Sequence, residues 1–237
     1  MLLRVSSQST VITPLPGALE PELVSDGGGL PFAPGAIFAS FDPLDPSAAP
    51  VRALLTQIEL GSRRARRRGL LRRAAPAPAL DESQKLAGWR ALARSEDEIL
   101  YARGRPPQLL TVAVRRERGE RWQVVGVSNS RPLRSVRDGV RASSWRPDPD
   151  FPPAPQDSEL HLLLTEQTMA TGLLAADRLL PAELFSDAQR LLLRLYVKPL
   201  EGYVGRTRRH ETPVTVRLPE AVGARELVDG ALYDVPS

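Results

Sequence analysis

A chain of 237 residues with 42% hydrophobic and 25% charged side chains matches the globular average. That composition excludes disorder along the whole length and leaves room for one ordinary domain with an extension, the favoured reading, or for two small domains. The absence of cysteine excludes disulfides, thiolate nucleophiles and cysteine metal ligands, and no run reaches the ~20 apolar residues of a membrane-spanning helix.

The formal charge of +4 is unevenly spread. Residues 1–50 carry Arg4 against five acids, residues 51–80 carry eight arginines against Glu59, and everything later sums to +1. After Met1-Leu2-Leu3-Arg4, polar Ser6 to Thr10 stand where a signal peptide needs an apolar core, so the chain as written reads as cytoplasmic.

Residues 1–48 hold seven of the chain's prolines and the run Gly27-Gly28-Gly29. Proline fixes φ and removes a hydrogen-bond donor, so this stretch is expected to be an irregular arm with little helix or ladder pairing. Residues 49–80 form the second segment. There Pro50 precedes Val51, Leu54, Leu55 and Ile58 at i, i+3, i+4, i+7 spacing, which predicts a short amphipathic helix weakened at Gly61. The basic run Arg63, Arg64, Arg66, Arg67, Arg68, Arg72 and Arg73 follows, and alternating Ala and Pro to residue 80 predicts a linker. On this reading residues 1–80 are dispensable for folding.

From residue 81 the period changes to two. Trp89, Ala91 and Ala93 lead into a hairpin with Ile99 to Tyr101; Leu110, Val112 and Val114 share a strand face, and Trp122, Val124 and Val125 start the next strand. Proline-rich residues 147–157 predict a surface connection before Leu160, Leu162 and Leu164 resume the alternation. Residues 191–197 fit either period and are assigned to a strand for their length and for Tyr196-Val197 before Pro199. Val214, Val216 and Leu218 form the last strong pattern. About seven short strands with no βαβ rhythm predict a mainly β, antiparallel, sandwich-like domain over residues 81–237.

The segment from Trp89 to Gly104, then Trp122-Gln-Val-Val-Gly126, Arg137-Asp138-Gly139, Trp145-Arg146-Pro147-Asp148-Pro149, Asp177-Arg178-Leu179-Leu180-Pro181 and Thr212-Pro213-Val214-Thr215-Val216 resembles an uncharacterised family of secreted or lipid-anchored actinobacterial proteins. The resemblance covers residues 86–235. It implies cysteines where Ser130, Met169 and a residue near Arg206 stand, so the disulfide it implies cannot form in this chain, and it implies no assigned activity.

Catalytic signatures are absent from the sequence. Gly126-Val-Ser128-Asn-Ser130 lacks the second glycine of a nucleophile elbow, neither Lys85 nor Lys198 completes a phosphate-binding loop, and no Gly-rich dinucleotide fingerprint follows a strand. His161 and His210 are the only histidines, and Asp148, Asp150 and Asp157 are spread along a proline-rich stretch unsuited to calcium. No metal or cofactor is therefore expected. Arg206, Arg208 and Arg209 form a second anion-binding candidate beside the 63–73 run, because clustered guanidiniums bind phosphate or carboxylate in bidentate fashion. That longer run has no interleaved aromatics for base stacking.

The leading expectation is a non-enzymatic binding or scaffold module that docks onto a protein partner or polyanion through its basic N-terminal segment. The alternatives are a hydrolase built around Glu166 and His161, or a structural component of a phage or injection-type assembly.

Overall fold

Period-two alternation builds most of the chain. In the computed structural model, residues 9–67, 80–118, 121–166, 175–199 and 211–234 are described, without side chains at 62–67. The elements begin with β1 (Thr10–Ile12), β2 (Leu15–Pro16) and β3 (Leu23–Ser25), followed by helices α1 (Ala49–Arg67) and α2 (Glu82–Leu86). Next come β4 (Trp89–Arg94), β5 (Glu98–Arg103), β6 (Leu110–Arg116), β7 (Trp122–Asn129), β8 (Arg134–Arg137) and β9 (Val140–Pro147). The chain continues through β10 (Glu159–Thr165), β11 (Glu183–Ser186), β12 (Arg190–Tyr196), β13 (Glu211–Arg217) and β14 (Glu226–Asp229). Two compact units divide these elements: Ser25–Pro132 is one, and the chain up to Val24 together with the chain from Leu133 is the other.

The discontinuous unit carries one large sheet in the order β1-β13-β10-β9-β12-β11-β2, with β14 beside β12, β8 beside β9 and β3 beside β8. Strand β9 makes this possible by serving three partners in turn. Its first residues pair with β8, Ala142 and Ser143 pair with β12, and Ser144 to Pro147 pair with β10. A strand that passes from one group of partners to another lets a sheet face itself across a shared core. Leu160, Leu162 and Leu164 from β10 meet Leu191, Leu193 and Leu195 from β12, with Trp145, Val214 and Val216 completing the fill. The fold is therefore mainly β and sandwich-like.

Residues 191–197 settle as a strand because Leu191, Leu193 and Leu195 are buried at every second position. Three pairings of the large sheet are parallel, β1 with β13, β2 with β11 and β14 with β12, so an otherwise antiparallel sheet is mixed. Each added strand is joined to its partner by a long connection, which leaves either direction open.

The proline-rich N-terminal stretch is mostly irregular, as its composition predicts, yet it does enter ladders. Thr10–Ile12 contains no proline and pairs fully with Val214 to Val216, and Pro16 lies in a strand with one paired neighbour, where its missing N–H costs nothing. Val24, Phe32 and Ile37 are buried. Described parts of residues 1–80 thus contribute strand pairings and buried side chains to the fold.

The Ser25–Pro132 unit is a four-stranded antiparallel sheet, β4-β5-β6-β7. On one face lie Ile99, Tyr101, Val112 and Val114, covered by Val51, Leu54 and Leu55 of α1. Asp81 starts α2 with a reciprocal cap, its carboxylate accepting from the Gln84 N–H at 2.7 Å while the Gln84 side chain accepts from the Asp81 N–H at 3.1 Å.

A glycine strap covers the opposite face. Gly29 presses on Ala113 and Leu100, and the Gly28 carbonyl lies directly over Gly126. Asp26, 1% exposed, accepts the Gly28 N–H at 2.8 Å and the Thr111 hydroxyl, fixing the strap to the sheet.

Candidate functional site

Helix α1 is longer than its apolar stripe. The stripe ends at half-buried Ile58, and Lys85 of α2 pairs with Glu59 at 2.7 Å. The helix nevertheless continues through Gly61 to Arg67. A glycine in a helix interior costs only about 1 kcal/mol relative to alanine, and the space around Gly61 is open, so burial of the stripe outweighs it.

Nineteen residues at a rise of 1.5 Å give a rod of roughly 28 Å. Arg63, Arg64, Arg66 and Arg67 occupy its last turns. Arg68, Arg72 and Arg73, and likewise Arg206, Arg208, Arg209 and His210, lie outside the described residues.

Charge divides between the two units. Ser25–Pro132 contains 18 arginines and lysines against 11 acids, a formal +7, whereas the rest of the chain has 14 against 17, a formal −3. Among the described residues, most cations of the second group are engaged in ion pairs. Arg146 meets Glu211 at 2.7 Å, Arg190 meets Asp187 at 3.0 Å and Arg217 meets Glu159 at 2.9 Å. In consequence the Arg146 guanidinium holds the Glu211 carboxyl below its ordinary range.

The Ser25–Pro132 unit also brings together residues that sequence spacing keeps apart. Arg90, buried on β4, donates one terminal nitrogen to the carbonyls of Ile37 and Gly104 at 3.1 and 2.8 Å. Those two bonds tie the segment before α1 to the β5–β6 connection. The Arg90 guanidinium lies over the ring of Phe41 at 5.3 Å, and Arg105 lies over Phe38 at 5.6 Å. Burial, followed by the like charge of Arg105, lowers the pKa of Arg90. Phe38 and Phe41 remain 45% and 46% exposed. Sequence reasoning missed this group; two phenylalanines in an irregular stretch were its only local signal.

Glu166 and His161 do not converge. Glu166 borders a small cavity of about 120 Å³ with Val140, Ser143 and Val197. It is buried, and both terminal nitrogens of Arg178 grip it, one at 3.2 Å. His161 borders a different, open cleft of about 500 Å³ beside Phe151. Its Nδ1 lies 3.2 Å from the Thr215 hydroxyl, which in turn bonds Ser9 at 2.9 Å. The carboxylates of that cleft are engaged elsewhere, Asp157 by the Ala154 N–H at 2.7 Å and Glu159 by Arg217.

Replacing Glu166 by Gln is therefore expected to act on stability. The substitution keeps the shape and leaves Arg178 without its counter-ion, for a loss of about 2 kcal/mol. Urea denaturation measures it, and an unchanged midpoint would show that the pair is not structural.

Among the described residues, no group of three His, Asp or Glu side chains could hold a metal ion. No described helix is long and apolar enough to cross a membrane. Comparison with protein-family models, with curated proteins and with solved structures found no match to this chain. The functional reading consequently rests on the residues themselves.

Proposed function

We propose that this protein is a non-enzymatic binding module that docks onto a polyanionic partner through the arginine-dense end of α1. The observation that supports it most is the anchoring of that helix. Val51, Leu54 and Leu55 fix its first half in the hydrophobic core of the unit, so Arg63, Arg64, Arg66 and Arg67 extend from a held rod. Pre-ordering of the backbone lowers the entropy lost on binding. The unit's formal +7 equals the seven arginines of the 63–73 run, so its long-range attraction for anions is concentrated there.

The test replaces Arg63, Arg64, Arg66 and Arg67 by glutamine, which preserves helix propensity. Heparin affinity is read at two salt concentrations. A roughly tenfold loss is expected, together with a shallower salt dependence, because each cation removed releases fewer counterions. Unchanged affinity and slope would remove the proposal.

A further inference from the structure

Exposed aromatic rings beside unpaired guanidiniums have a chemistry that a purely electrostatic surface lacks. Phe38 and Phe41 are each capped on one side by an arginine and are nearly half exposed. Arg90 holds the segment that bears them, through the Ile37 carbonyl, against the connection that bears Arg105. Arg105 is exposed and, among the described residues, has no acidic partner within ion-pair distance. Of the acids close by in sequence, Asp45 is occupied by Ser47 at 2.8 Å, which leaves the exposed Asp42 against the two guanidiniums of Arg90 and Arg105.

We infer that Phe38 and Phe41, with Arg90 and Arg105, form a base-stacking site for single-stranded nucleic acid. The inference rests on the polyanion-binding reading and names the class of polyanion. A ring with a cation on one face and solvent beside it accepts the flat face of a base, and the exposed Arg105 guanidinium neutralises a phosphate that the base carries with it. Stacking of this kind tolerates any sequence, because every base has a π-face. An acidic protein would use the cations and have no use for the rings.

The experiment uses the full chain and four probes: a thymidine oligonucleotide about 20 nucleotides long, an abasic strand of equal length, heparin and polyglutamate. Fluorescence anisotropy is expected to show the oligonucleotide bound about tenfold more tightly than the abasic strand. Exchanging both Phe38 and Phe41 for alanine should abolish that preference and leave heparin affinity unchanged. Phe38→Leu with Phe41→Leu, which keeps apolar contacts, should do the same and covers the case in which the alanine variant misfolds. Phe38→Trp should retain the preference, with its fluorescence quenched by the oligonucleotide.

Equal binding of abasic and thymidine strands overturns the stacking site while leaving arginine-dependent polyanion binding intact. A preference for polyglutamate over the oligonucleotide overturns it in favour of an acidic protein partner. Binding of none of the four probes removes this inference and the proposed function together.

Discussion

Gly126→Ala is expected to cost about 3 kcal/mol or more in stability of the Ser25–Pro132 unit. A Cβ at this position would lie 2.2 Å from the Gly28 carbonyl oxygen and 3.2 Å from its carbon, both backbone atoms. Neither can swing aside as a side-chain end would. Relief requires the strap to lift from the sheet, and the strap is held at both ends of the contact. Asp26 bonds Thr111 on one side, while Gly29 presses on Ala113 and Leu100 on the other. Lifting it would part the fully buried Asp26 from its hydroxyl donor, adding the penalty of an under-bonded buried carboxylate. Gly35→Ala serves as the control, since nothing lies within 4 Å of its added carbon, and it should stay within about 0.5 kcal/mol of the parent. Hydrogen exchange followed on β6 peptides isolates the effect to this unit. If Gly126→Ala and Gly35→Ala exchange alike, the strap does not touch the sheet as described.

The strands were legible wherever one face meets a core, because burial at every second position leaves a period of two in the sequence. Leu160, Leu162 and Leu164, and Leu191, Leu193 and Leu195, show it directly. Bulges were not legible. The register shift between Ala91 and Ala93 turns Leu92 inward and leaves Ala91 exposed, against the alternation expected from Trp89, and a second shift sets Val125 outside the ladder of β7. An extra residue changes parity without changing composition, so no pattern announces it.

The strap was hidden for a related reason. Three consecutive glycines suggest a flexible turn, and only the small partners Ala113 and Gly126, far along the chain, convert them into a close-packed contact. Segment boundaries at residues 48 and 80 are read from proline and charge, and the compact units part at Val24 and Pro132. The arginine run could be read from charge alone. Its aromatic complement could not, because the guanidiniums over Phe38 and Phe41 arrive from β4 and the β5–β6 connection.

Arg194→Met is expected to destabilise the discontinuous unit by about 3–5 kcal/mol. Arg194 stands on β12 among leucines, only 2% exposed. One terminal nitrogen donates to the Ala18 carbonyl at 2.7 Å and the other to the Leu19 carbonyl at 2.6 Å, so a single side chain holds the segment that follows β2. Glu183 lies 3.7 Å away as counter-charge and accepts the Tyr196 hydroxyl at 3.0 Å. Burial, then the negative charge of Glu183, raise the Tyr196 pKa well above its ordinary value, so the phenol remains a donor across the physiological range. Methionine fills the volume of the arginine stem but leaves two carbonyls without donors and Glu183 without its buried partner. Arg194→Lys should recover only part of the loss, since one ammonium does not reproduce the planar fork that serves two carbonyls at once. Glu183 keeps Arg137 at 3.4 Å after that change, so adding Glu183→Gln to Arg194→Met should restore less than about 1 kcal/mol, a sign that packing loss alone does not give. Guanidinium titration of the three variants, with proteolysis near Leu19 as a local readout, measures both effects. Equal stability of Arg194→Met and the parent, with no faster cleavage near Leu19, would mean that the N-terminal segment is held by its strand pairings and not by this arginine.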